Sequence, residues 1–487
     1  MHTLASNFPR PASRAGRFLF GCLLLAACDG GGDGGDETAD LGATGGAPVP
    51  DASASGGDGG TNPDAADASA PDPDAAPPDC DASHPPVVLA HGLLASGDTY
   101  SAHVRRFAAN GECADRFHAF DWNTLNRGKD HAADLDAFIE AVRARHGAEQ
   151  VDLLGHSAGG GLGYTYLANA ARAAKVRRYV HIGSSPMMAP AGPEGGPTVP
   201  TLNLWSRADL VVEGADIPGA TNVALETEDH YAVATSPASF QAIHRFLRDD
   251  TAPATDDPMG STGADGRVAV SGRVVILGDN TPDEGSTVQV YALETETGAR
   301  LDDTPEATFT IGADAAFGPF EAATDTRYEF LVTSPRPGAR PVRYFHRPFV
   351  SDDALVYLRT LPTTGLPGTL LGQIPFDDAH SVVVVYLARG AMLAGRDSLD
   401  LDGENVATEA IAAPEDTTIA LFVYDEGTDR TDAGSTAAFE AFPFLAGLDR
   451  FLEADAARSL PLSFNGVPLN IPRRPSGSEG ASIVVFD

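Results

Sequence analysis

The chain has 487 residues, 43% of them hydrophobic and 7% aromatic, enough for two or three packed domains. Its 33 basic and 68 acidic side chains leave a formal charge of −35. That imbalance excludes nucleic acid as a partner and excludes electrostatic docking on anionic lipid.

Residues 1–28 read as an address rather than a fold. Arg10, Arg14 and Arg17 make a positive leader, Phe18 to Ala27 is a short apolar stretch, and Leu25-Ala26-Ala27-Cys28 resembles a bacterial lipobox. The expectation is cleavage before Cys28 and lipidation of its thiol, giving an exported lipoprotein anchored at the cell envelope. An ordinary secretory signal with Cys28 incidental is the alternative. Residues 29–83 are rich in Gly, Ala, Asp, Ser and Pro and contain no Lys or Arg, the composition of a disordered acidic tether. No later stretch is long and apolar enough to span a bilayer. In an exported protein the remaining pair, Cys80 and Cys113, is expected to form one disulfide.

Regular structure is predicted from Pro86 onward. Val87 to Ala90 is a buried-type strand closed by His91-Gly92, and Arg106 to Asn110 lies in a helical stretch ending at Gly111. Phe117 to Phe120 is a second strand, and Asp134 to His146 an amphipathic helix stopped by Gly147. Val151 to Leu154 runs as a strand into Gly155, with a helix over Gly161 to Ala174 and strands at Tyr179 to Ile182 and Thr201 to Trp205. A helix around Phe240 to Leu247 closes the region. Strands alternating with helices predict an α/β domain over 84–250, its mainly parallel sheet covered on both faces.

A Pro, Asp and Thr linker covers 251–265. Beyond it the pattern alternates, as in Val274-Val275-Ile276, Val288 to Tyr291 and Tyr328 to Leu331, which predicts an all-β C-terminal region. Residues 266–362 form one β-rich domain, and 363–487, with runs at Val382 to Tyr386, Ile419 to Tyr424 and Ile483 to Phe486, form a second or a continuation.

Gly155-His156-Ser157-Ala158-Gly159 is a G-x-S-x-G sequence joining a strand to a helix, the setting that lifts a serine hydroxyl above a sheet edge. A serine needs a base within hydrogen-bond reach, and the base an acid behind it, in the chain order Ser, Asp, His. His230, in a loop before the last helix, is the expected base; His181 lies inside a strand and His244 on a helix face. Asp209, at the C-terminal end of the strand that reaches Trp205, is the expected acid, with Asp216 its competitor. Backbone N–H groups must hold the developing oxyanion: Ala158 after the nucleophile, and Leu93 in the first turn, with Leu94 the alternative. His91 is expected to shape that turn. The carboxylates Asp397, Asp400, Asp402 and Glu404 do not follow a calcium-loop spacing and read as a solvated loop. His346 reads as a strand residue. Neither a metal nor a cofactor is expected.

With these residues in place, the chain resembles long-chain lipases and carboxylesterases, especially an archaeal lipase type with a C-terminal β-barrel. The likeness runs over about 84–360. It is carried by Pro86 to Leu93, Arg106 to Gly111, Gly155-His156-Ser157, Ala220 to Val223, Thr235-Ser236-Pro237 and Pro253-Ala254-Thr255. It implies Ser157, Asp209 and His230 as the triad, Leu93 and Ala158 as oxyanion donors, a lipid acyl ester as substrate, and the β region as a substrate- or surface-docking module. Such lipases carry a helical lid before the nucleophile strand, whereas here only Asp121 to Gln150 fills that gap, which favours an open, esterase-like site. A polyester depolymerase and a non-catalytic surface-anchored binding protein are the competing functions.

Overall fold

The computed structural model describes residues 80–256, 266–439 and 444–487. The lipobox with Cys28, nearly all of the acidic tether and most of the 251–265 linker lie outside these residues.

Strand β1 (Val87–Ala90) pairs in parallel with β2 (Phe117–Phe120) and β3 (Val151–His156). β4 (Val176–Ile182), β5 (Thr201–Ser206) and β6 (Thr221–Leu225) extend the sheet to the order β2-β1-β3-β4-β5-β6, parallel throughout. β1, Val-Val-Leu-Ala, and Leu153-Leu154 of β3 are buried apolar runs because helices cover both faces. One face carries α1 (Ser101–Ala109) and α4 (Pro237–Leu247), whose Phe107, Phe240, Ile243 and Leu247 pack with Leu89 and Leu204. The other carries α2 (His131–His146) and α3 (Ala158–Leu167), where Leu135, Ile139 and Tyr166 pack with Val88 and Leu153. Asp130 caps α2 by accepting from the Ala133 N–H, and Gly147, at φ 59°, ends it.

The β region is built on β7 (Arg267–Ile276), flanked by β10 (Ala316–Ala323) and β13 (Asp353–Thr360) in a three-stranded sheet. A nine-stranded sheet lies against it. Its first-half strands are β8 (Thr287–Leu293), β9 (Ala307–Thr310), β11 (Arg327–Thr333) and β12 (Val342–His346). Its second-half strands are β14 (Val383–Leu387), β15 (Ala420–Tyr424), β16 (Gly434–Ser435), β17 (Leu445–Asp449) and β18 (Ala481–Phe486). The order is β16-β17-β15-β14-β18-β12-β11-β8-β9, so parallel pairing of β12 with β18 joins the two halves across residue 362. Phe317, Phe330, Tyr344, Phe422 and Ile483 share one core between them. Val275, Ala315, Leu355 and Tyr357 of the β region also enter the core of the α/β domain beside Tyr100 and Val104. The α/β and β parts therefore share buried apolar contacts. No helix of the described residues is long and apolar enough to cross a membrane.

Candidate active site

β1, β3 and β5 end at the same edge of the sheet, and the chain turns there into loops. At the end of β3 the turn is sharp: Ser157 has φ 52° and ψ −117°, and α3 starts at Ala158. The glycines on either side are sterically required. A Cβ on Gly155 would lie 2.4 Å from the carbonyl oxygen of Gly159, and one on Gly159 would lie 2.3 Å from that of Ala90. β1, β3 and the start of α3 are thus in backbone contact, which brings the turn after β1 against Ser157. A side chain on Gly92 would meet Ser157 Cβ at 3.2 Å and His156 Nδ1 at 3.1 Å.

Ser157, His230 and Asp209 form a hydrogen-bonded chain. Ser157 Oγ lies 3.0 Å from His230 Nε2, and His230 Nδ1 lies 2.7 Å from Asp209 Oδ2. With Nδ1 protonated, Nε2 is free to accept from the hydroxyl. The side chains of His230 and Asp209 are each only 2% exposed, so this proton path is shielded from bulk water. Burial of Asp209 opposes its ionisation, but the His230 N–H and the Val212 and Val211 N–H groups outweigh it and hold the carboxyl below its usual range. The competitor Asp216 instead accepts from Trp205 Nε1 at 3.2 Å.

The two expected oxyanion donors adjoin Ser157 and Gly92 in the chain, Gly92 being the residue that packs against the serine. Ala158 supplies the first N–H of α3, where helix amides have no intrahelical partner. Leu93 lies in the turn beside the serine, while the alternative, Leu94, gives its N–H to Thr124 Oγ1 at 3.0 Å. His91 is buried under this turn. Its Nδ1 lies 2.9 Å from the Gly92 carbonyl, and its Nε2 accepts from the Trp122 backbone and from Asn280.

The remaining histidines and carboxylates have other partners. His181 lies between the Tyr179 hydroxyl and the Ser185 carbonyl, and burial pushes it down to about 4. His244 bonds the Thr251 carbonyl, and His346 is enclosed by Tyr344 and Phe349. In the acidic loop Asp402 pairs with Arg473, Glu404 with Arg450, and Asp397 with Arg396. No group of three or more His, Cys, Asp or Glu among the described residues is placed to hold a metal. Cys80 and Cys113 are joined in a disulfide. The gap before β3 holds α2 and a connecting loop over 121–130.

Three further residues at the site were not singled out by sequence reasoning. His156 Nε2 donates to the His230 carbonyl at 2.9 Å; burial, then the neighbouring His230, push its imidazole down to about 3, so it stays neutral. Asp229 accepts from the N–H groups of Tyr231, Ala232 and Ala391. Phe444 lies flat on His230, with ring centroids 5.8 Å apart and planes 13° from parallel. Only His156 had a local signal, its place inside the serine motif.

A parallel sheet with helices on both faces, bearing a sharp strand-to-helix turn with a serine at its C-terminal edge, is the arrangement of the α/β-hydrolase fold. Residues 85–212 match the α/β hydrolase fold family, and residues 266–362 match the lipase C-terminal domain family. Residues 372–486 match a further C-terminal-domain family. The N-terminal domain therefore has the α/β-hydrolase fold, and a β-rich C-terminal region follows it.

Among solved structures it is similar to Aspergillus fumigatus lipase B, at 15% identity and a TM-score of 0.28, over 36% of this chain and 57% of that one. The propeptide form of Bacillus licheniformis lipase BlEst2 matches at 15% identity and a TM-score of 0.28, over 53% of this chain and 76% of that one. Carboxylesterase CesB of Bacillus subtilis matches at 15% identity and a TM-score of 0.26, over 35% and 86%.

Proposed function

We propose that the enzyme cleaves acyl esters of lipids through an acyl-enzyme on Ser157. The observation that carries this is the Ser157–His230–Asp209 chain, with both hydrogen bonds at 3.0 Å or less. As Ser157 Oγ attacks the ester carbonyl, its proton passes to His230 Nε2, and Asp209 stabilises the imidazolium. The carbonyl oxygen takes the negative charge between the Leu93 and Ala158 N–H groups, each worth about 3 kcal/mol to such a transition state. The tetrahedral intermediate collapses as His230 returns the proton to the departing alcohol, leaving the acyl group on Ser157. Water then repeats the sequence and releases the acid.

Two exposed apolar side chains support a lipidic acyl group. Met188, on the loop after β4, is 88% exposed, and Leu210, which follows Asp209 on the loop after β5, is 60% exposed. Both loops leave the edge where the site lies. Ser157→Ala is expected to abolish turnover of p-nitrophenyl butyrate and labelling by a fluorophosphonate probe while leaving the melting curve unchanged. Undiminished turnover would overturn the assignment. Rates on tributyrin, long-chain triacylglycerol and polyhydroxyalkanoate film then rank the substrate classes.

A further inference from the structure

We propose that the second half of the β region is a working part of the active site, with Tyr386, residues 389–391 and Phe444 positioning His230. This rests on His230 being the base. The histidine stands on the segment between β6 and α4. Within the α/β domain that segment is held by the His156 N–H on the His230 carbonyl, the Asp209 contact, Arg106 on the Thr235 carbonyl, Ser239 Oγ on the Val233 carbonyl, and the buried Val233 and Ala234, which pack with Leu202 and Leu204.

The β region grips the same segment on both sides of the imidazole. Before it, Asp229 Oδ2 accepts from the Ala391 N–H at 3.0 Å, and the approach is close enough that a Cβ on Gly390 would come 3.3 Å from that oxygen. After it, the Tyr231 hydroxyl meets the Tyr386 hydroxyl at 3.1 Å, and Thr235 Oγ1 donates to the Arg389 carbonyl. Tyr386 is itself fixed: its hydroxyl donates to Asp98 at 3.3 Å, and Arg359 holds Asp98 at 2.5 Å. Against the ring face stands Phe444.

Phe444 has a φ of 75°, a conformation that a residue with a side chain keeps only where its surroundings impose it. Here its carbonyl accepts from both the Ile419 and Ala420 N–H groups, at 2.9 and 3.0 Å. Its backbone is thereby pinned to the start of β15, and its ring is aimed at His230. A module that only docked substrate would not require contacts to residues 229, 230, 231 and 235. A general base displaced by about 1 Å loses on the order of a hundredfold in rate, so contacts that fix it act on turnover.

Full-length Phe444→Ala, Phe444→Leu and Tyr386→Phe test this with p-nitrophenyl acetate, whose acyl group is too short to use a docking surface. Phe444→Ala is expected to lower kcat by about tenfold with KM within about twofold, the pattern of a transition-state defect. Phe444→Leu, which keeps bulk over the imidazole, should recover most of that loss. Tyr386→Phe removes one hydroxyl and should lower kcat by about threefold with an unchanged melting midpoint; it decides the matter if Phe444→Ala fails to fold. A rise in KM alone, a loss confined to long-chain esters, or wild-type kcat in both Phe444→Ala and Tyr386→Phe would overturn the inference. Ser157→Ala separates the two levels. If it is inactive while these variants are normal, only the positioning role fails; if it stays active, the assignment beneath it fails.

Discussion

Ser157 occupies a backbone conformation that costs about 1–3 kcal/mol for a residue with a side chain, and its neighbours hold it there. Its N–H donates to the Ile182 carbonyl at 2.9 Å, and its carbonyl accepts from Gly160 N–H at 2.9 Å and from Ser184 Oγ at 2.8 Å. The flanking glycines let β1 come close enough for its turn to reach the serine. Gly159→Ala should therefore do two things. The added methyl would meet the Ala90 and His91 carbonyl oxygens at 2.3 and 2.7 Å, backbone atoms that cannot swing aside. We expect a loss of about 1–3 kcal/mol in stability by overpacking. Activity should fall more than proportionately, because the displaced β1 turn carries Leu93. Denaturant melts and ester kinetics on one preparation check both, and wild-type kcat in this variant would contradict the role given to the turn. The elbow was legible in the sequence because its whole chemistry lies within five consecutive residues. The positions of Asp229 and Phe444 were not, since their partners are 162 and 214 residues away, across the domain contact.

The segment that leads into β1 is clamped at its start. The disulfide ties Cys80 to Cys113, 33 residues away, and Asp81 exchanges backbone hydrogen bonds with Gly111 and Cys113. Beside it, buried Glu112 takes two hydrogen bonds from Arg248, at 2.8 and 2.5 Å, which fastens the end of α4 to the turn after α1. Changing both cysteines to serine should lower stability by about 2–4 kcal/mol, chiefly by freeing the unfolded chain. The clamp lies away from Ser157, so kcat should hold at temperatures well below the melting point. Chemical denaturation beside initial rates separates the two effects, and a lost kcat in a folded variant would count against this division. At this scale β1 to β5 were readable from short, largely buried cores such as Val87 to Ala90 and Leu153-Leu154, bounded by turn residues. β6 was passed over. It is an edge strand, Thr-Asn-Val-Ala-Leu, with exposed or half-buried side chains, and only its register against β5 makes it a strand.

Across the whole molecule, burial of neutral histidines ties stability to pH. Burial pushes His156 down to about 3, and His181 and His346 to about 4. In the unfolded chain each takes up a proton near 6.5. The unfolded state thus binds more protons below that pH, so the stability these residues contribute is full above 6.5 and is lost as pH falls toward 4. Each costs about 1.4 kcal/mol per pH unit in that window. The melting midpoint should drop by several degrees between pH 7 and 5, above the range where ordinary carboxylates titrate. A midpoint flat over that interval would contradict the neutral, buried state of these side chains.

The sequence by itself determined the α/β class and the β-rich C-terminal region and pointed to Ser157, Asp209 and His230, because strand periods, turn residues and a five-residue motif are written locally. Only the tertiary structure decided that the halves on either side of residue 362 share one sheet through β12 and β18. It also decided that the second half reaches back to the histidine loop. Pairing between distant strands and the facing of two domains depend on surface shape and register, which no window of neighbouring residues records.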